Sequence, residues 1–387
     1  MRLAVDYQYN ATMACNENNA DILILSSAIG SGHMRASTAV VRGVDLLDPE
    51  KSCSIVDFPH EVSPGVERLL RDAYLEALKL WPTAYGKLYQ SSGQQGSYVY
   101  YLRSAGLKTL QRLVSSTGAQ ALVAPHFFGA GVLGSYKAQN PGIFSAVVLT
   151  DYVPHPIGVP LNLDLYVVAD DAAAEDVAKL GVPEERIHPT GIPIDPIFEE
   201  PADPAPVRKE ILNLDDDDLP VVLVMGGGLG GGALEDSVSL LLQASEAMHL
   251  VVLCGSNDRS RTRLERLANR GGHEATFLAF TDRVRELMAA GAVLVTKPGG
   301  MSCTEALASR LPQVLYRPIP GQEEDNAAAM VRYGAGVMVR ETSQILGQTL
   351  KILTSQDHRR KMVEAASAAH KPHAARSAAS LILAGLP

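Results

Sequence analysis

Two parts of this 387-residue chain set small residues beside groups able to hold a phosphate or read a sugar. In the first, Pro298-Gly299-Gly300 follows the apolar, β-branched run 292–296 and is itself followed by Met301, Ser302, Cys303, Thr304 and Glu305. Such a run suits a strand covered on both faces, and the Pro-Gly turn must lead from it into a helix. Unpaired backbone N–H groups and the dipole at a helix start favour an anion such as a diphosphate. Ser302 and Thr304 lie at the opening of the helix expected over 303–309, and Glu305 is placed to accept hydrogen bonds from ribose hydroxyls. Beyond the strand expected over 313–316, the loop Pro320-Gly321-Gln322-Glu323 offers an amide and a carboxylate. Between them these groups donate to and accept from a hexose. Each element alone fits an ordinary Rossmann-type edge; the ordered set points to a sugar nucleotide.

The second part is the glycine run 226–232, which follows the apolar strand expected over 221–225 and precedes a helical pattern from about Ala233. Without side chains, the backbone at Gly227, Gly228 and Gly230 can come close to a ligand phosphate or to a neighbouring domain. No Lys follows, so this is not a P-loop and a nucleoside triphosphate is a poor candidate. The N-terminal half repeats the design: an apolar strand over 22–25, a small-residue loop ending in Gly32 and His33, and a helix expected from about Met34. An imidazole at a helix mouth, with an ordinary pKa of about 6.5, either takes a proton from an acceptor hydroxyl or caps a phosphate or the turn. The residues alone leave both open. His126 follows the strand expected over 121–124, where open α/β sheets hold their ligands, and either touches substrate or packs in its loop.

The blocks SSAIGSGHMRAS at 26–37, TDYVPHP at 150–156, TGIPIDPIF at 190–198, TKPGGMSCTEAL at 296–307 and PGQEEDN at 320–326 occur in that order. Together they resemble the monogalactosyldiacylglycerol synthase and processive diacylglycerol glucosyltransferase family, family 28-like glycosyltransferases, from about residue 21 to the C-terminus. The resemblance implies an α/β fold of two facing Rossmann-like domains with mostly parallel sheets, the GT-B arrangement, and a C-terminal helix crossing back to the first domain. It implies a UDP-sugar as substrate, no cofactor and no metal, and inverting transfer of a hexose by direct displacement. On its pattern His33 is the candidate for activating the acceptor, with Asp151 as the other possible base. The donor set is Gly227, Gly228, Gly230, Phe280, Gly299, Gly300, Met301, Ser302, Cys303, Thr304, Glu305, Gln322, Glu323 and Asn326. Gly32, His126 and His155 fall on the acceptor side. The plant galactolipid enzymes of the family carry an Asp early in the first glycine loop, where this chain reads Ser27-Ala28, so the base must be His33 or Asp151.

Size and composition agree with a two-domain enzyme. A chain of 387 residues exceeds what one core usually serves. Expected limits are a flexible leader at 1–20, an acceptor domain at 21–198, a nucleotide-sugar domain at 199–358 and a returning helix at 359–387; the Pro-rich stretch 193–204 joins the halves. With 43 acidic against 34 basic residues and a formal net charge of −9, nucleic acid is a poor partner. The four-acid run Asp215 to Asp218 reads as a solvated turn. Four cysteines without CxxC spacing argue against a metal cluster and favour a reducing, cytoplasmic setting. No apolar stretch is long enough to cross a bilayer. From Val66 to Trp81 apolar residues recur at helical spacing, with Tyr85 beyond. A core helix explains that face; the resemblance makes Trp81 and Tyr85 candidates for a lipid acceptor or the inner membrane surface. Two other readings share the features: transfer to a soluble natural product, and a sugar-nucleotide 2-epimerase of the same fold, which needs no acceptor.

Overall fold

The computed structural model describes residues 19–28, 31–63, 65, 97–214, 219–226, 232–255, 258–268 and 274–387. The leader up to residue 18, the run 215–218 and the segment 66–96 with Trp81 and Tyr85 lie outside them. Among the described residues, strands β1 (Ile22–Ser26), β2 (Cys53–Asp57), β3 (Ala121–Ala124), β4 (Phe144–Val148), β5 (Leu165–Val167) and β6 (Ile187–His188) form one parallel sheet in the order β2-β1-β3-β4-β5-β6. Strands β7 (Val221–Met225), β8 (His249–Leu253), β9 (Ala275–Leu278), β10 (Gly291–Thr296), β11 (Gln313–Tyr316) and β12 (Gly336–Val339) form a second, in the order β12-β11-β10-β7-β8-β9.

The sequence dictates this architecture through its apolar runs. Strands β1 and β3 are buried at every residue, as parallel strands covered by helices on both faces require. In the second sheet the two-residue period sorts the core into two layers. Val222 and Val224 pack with Leu234 and Val238 on one face; Val221 and Leu223 pack with Leu287 and Met288 on the other. Strand order then fixes where a ligand can sit. In the first sheet the order reverses between β1 and β3, and in the second between β7 and β10. At such a switch point adjacent loops diverge to opposite faces and leave a crevice at the strands' C-terminal ends.

The chain divides into two compact units. One holds the first sheet, with the described residues up to Pro196, Ile319–Gln322 and Lys371–Pro387; the other holds Ile197–Pro318 and Glu323–His370. Two expected limits need correction. Ala20, assigned to the leader, is buried and donates its N–H to the Thr117 carbonyl at 2.9 Å, so ordered structure begins before residue 21. The single helix expected over 359–387 is two, Gln356–Ala369 and Ala374–Ala384. Pro372 cannot continue a helix, and His373 takes a left-handed conformation, φ 60°, that breaks it. The first of the two belongs to the second unit, with Met362 in that core. Only the second helix packs on the first unit, where Ala378, Ala379 and Ile382 join Ile22, Ile24 and Val123. It lies against the helix Ser31–Leu47, so close that a Cβ on Gly43 would sit 2.4 Å from the Ala375 carbonyl oxygen.

Candidate active site

The C-terminal ends of β1, β3 and β4 bring three sequence-distant groups together. His33 stands in the first turn of the helix Ser31–Leu47, which begins three residues before the expected start. Ser31 and Gly32 fit there because first-turn N–H groups need no intrahelical partner. His33 Nδ1 lies 3.0 Å from the Pro125 carbonyl oxygen and 3.2 Å from Thr150 Oγ1. A carbonyl only accepts, so Nδ1 carries the proton and Nε2 keeps its lone pair. Burial holds the imidazole below its ordinary pKa, while the charge of Asp151 and the Pro125 carbonyl pull it back up. The outcome is a neutral ring whose protonated form has a carboxylate nearby.

His126 packs edge to face on His33, ring centroids 4.7 Å apart. It is the N-cap residue of the helix Phe127–Gln139 and is 4% exposed. Burial, then the neighbouring His33 charge, push its pKa well down. Beside it, at 4.3 Å between centroids, the Phe127 ring is half exposed. Asp151 accepts a hydrogen bond from Gln322 Nε2. His155 instead caps the turn Pro156–Gly158, its Nδ1 accepting from the Ile157 N–H at 3.3 Å. Thr150 and the Pro125 carbonyl, which set the tautomer of His33, escaped the reading of residue types; the TDYVPHP block contained the first of them.

On the second sheet, the helix after β10 spans Gly300–Ala308, opening before the expected 303. Gly299 is its N-cap and supplies no side-chain bond, and the first intrahelical bond runs from the Cys303 N–H to the Gly299 carbonyl at 3.0 Å. The amides of Gly300, Met301 and Ser302 are therefore the helix-mouth donors. A Cβ on Gly299 would meet nothing within 4 Å, so nothing crowds the N-cap position itself. Thr304, expected at that opening, lies a turn inside and donates its hydroxyl to the Gly300 carbonyl at 2.8 Å. Met301, Cys303 and Glu305 are buried, Glu305 at 1% exposure. Glu323 is half-buried in the first turn after Gly321, whereas Asn326 is fully buried on that helix's inner face. Phe280 is exposed in the bend after β9. Gly227, Gly228 and Gly230 lie outside the described residues, although β7, which leads to them, borders the switch point.

Two parallel α/β units with polar groups gathered at the C-terminal ends of their strands define a GT-B-like α/β protein. In fold it is similar to MurG of Acinetobacter baumannii, with a TM-score of 0.64 at 15% identity, covering 94% of this chain and 99% of that one. The UDP-GlcNAc 2-epimerase of Neisseria meningitidis, solved bound to UDP-GlcNAc, gives 0.59 at 9% identity, covering 94% and 98%. The family follows from sequence: residues 33–194 match the monogalactosyldiacylglycerol (MGDG) synthase model, and residues 221–382 match the glycosyltransferase family 28 C-terminal domain. The processive diacylglycerol beta-glucosyltransferase of Bacillus subtilis (strain 168) is 28% identical over 351 residues, which cover 89% of this chain and 90% of that protein. The chain belongs to this family of glycosyltransferases, as its motif blocks imply.

Proposed function

We propose that the protein moves a hexose from a UDP-sugar to a hydroxyl of a diacylglycerol-like lipid, with inversion at the anomeric carbon and without a metal. The observation that carries this reading is the fixed tautomer of His33, which leaves Nε2 able to take the hydroxyl proton. As the proton moves to Nε2, the hydroxyl oxygen bonds to the anomeric carbon, and the bond from that carbon to the diphosphate breaks with its electron pair leaving on UDP. Asp151 favours the imidazolium that forms. The amides of Gly300, Met301 and Ser302, with the helix dipole behind them, offset charge growing on the diphosphate. Glu305 is assigned to the ribose, and Gln322, Glu323 and Asn326 to the hexose. An apolar acceptor fits the half-exposed Phe127 beside His126, and diacylglycerol is the acceptor named for the Bacillus subtilis relative. Such an acceptor places the enzyme at a membrane surface, on the cytoplasmic side in keeping with its cysteine spacing.

Incubation with diacylglycerol vesicles and a panel of UDP-hexoses tests this directly. Mass spectrometry is expected to show glycosyl diacylglycerol and UDP, NMR a product anomer opposite to that of the donor, and EDTA no loss of rate. A UDP-sugar isomerised without any acceptor would replace this reading with the epimerase, and a rate abolished by EDTA and restored by a divalent ion would remove the metal-free step.

A further inference from the structure

At the opposite end of the second sheet from the helix mouth at Gly300, a cavity of about 260 Å³ opens at the N-terminal ends of the central strands β7 and β10. Pro220, Gly291 and Pro312 line it together with Arg208, Arg310 and Arg359. A five-residue strand such as β7 spans roughly 17 Å, so this cavity is well removed from the helix mouth at Gly300.

Its charge is unusual for a protein of net charge −9. Within the described residues, none of the three arginines has a carboxylate within ion-pair distance. Arg208 spends one guanidinium nitrogen on the Leu219 carbonyl at 3.2 Å, and its buried Nε has no hydrogen-bond partner. Asp357, two residues before Arg359, is held by Arg360 and Lys361, each at 2.7 Å. Three planar forks around one hollow are the donor set that a tetrahedral oxyanion recognises. The volume lies below the range of about 300–1,000 Å³ usual for small-molecule pockets, which suits a phosphoryl group rather than a whole nucleotide.

We infer that this cavity is a second anion site, taking a phosphoryl group either as free phosphate or as the headgroup of a phospholipid. Calorimetric titration of the full chain with inorganic phosphate tests the first source; co-sedimentation with phosphatidylcholine vesicles, with and without phosphatidylglycerol, tests the second. Arg310 is exposed and left-handed, a conformation asparagine tolerates, and Arg359 is half-buried, so the double variant R310N/R359Q is expected to keep its melting temperature. Arg-dependent binding in either arm, weakened about tenfold or more in the double variant, identifies the source. Hydrogen exchange should slow at 219–222 and 290–292 when phosphate is added, and not at 298–302. Equal binding by the double variant, no binding in either arm, or protection confined to 298–302 would overturn the site.

Discussion

His33 combines burial, which keeps it neutral, with a carboxylate that favours its charged form. Turnover should therefore fall at acidic pH along a limb set below the ordinary imidazole value of about 6.5. Asp151→Asn removes an influence that raises the His33 pKa, so that limb should move to still lower pH while the plateau rate drops. His33→Gln should cost about 10²–10⁴ in kcat with UDP affinity unchanged. A pH–rate profile of the three proteins checks both, and a limb left in place by Asp151→Asn would separate the carboxylate from the histidine. The same shifts act on stability. His33 and His126 both have folded pKa values below their unfolded ones. Stability is then complete above about pH 6.5 and is lost as pH falls through the folded values, because the unfolded chain takes up protons first. Melting temperature should decline below that pH, and less steeply in His126→Gln. Sequence reading named His33, His126 and Asp151 one by one. Their meeting depends on β1, β3 and β4 being neighbours, and the tautomer depends on a backbone carbonyl, which no residue type announces.

At the scale of the element, the helix Gly300–Ala308 shows an N-terminus left uncapped. Ser, Asp or Asn at the N-cap would bond the free amides and stabilise the helix, yet glycine stands there with open space where a side chain would go. Gly299→Asp is therefore expected to raise stability by several tenths of a kcal/mol, through the cap and the helix dipole. The same carboxylate would occupy the amides and repel a diphosphate, so donor KM should rise tenfold or more. Thermal melts and donor titration together check this; unchanged donor affinity would mean the diphosphate sits elsewhere. That uncapped start also explains a misread boundary. The strands over 121–124 and 221–225 are legible to the residue because continuous apolar runs, ALVA and VVLVM, fill them. Helix starts are less so: Ser302 and Thr304 look like caps, whereas Gly299, which carries no capping group, is the true one.

Across the whole molecule, the last helix makes the first sheet depend on residues nearly the full chain length away. Ile382 is fully buried against the first sheet's core, and Gly43 has no room for a side chain where the helix Ser31–Leu47 meets Ala375. The alanine-rich composition of the segment predicts a helix, but alanines alone do not say that it divides at Pro372 or which half returns to the first unit. Close approach selects the second half, since Ala375, Ala378 and Ala379 are small enough to lie against Gly43 and the sheet's helical cover. Ile382→Ala should destabilise the first unit by about 2–5 kcal/mol, the usual cost of emptying a buried isoleucine site. Because Ile382 belongs to the core of one unit, the loss should be local. Hydrogen exchange is expected to speed up at β1 and β3 while β7 and β10 keep their protection. Equal loss in both sheets would show the two units unfolding as one, and no loss at β1 would remove the C-terminal helix from the first unit's core.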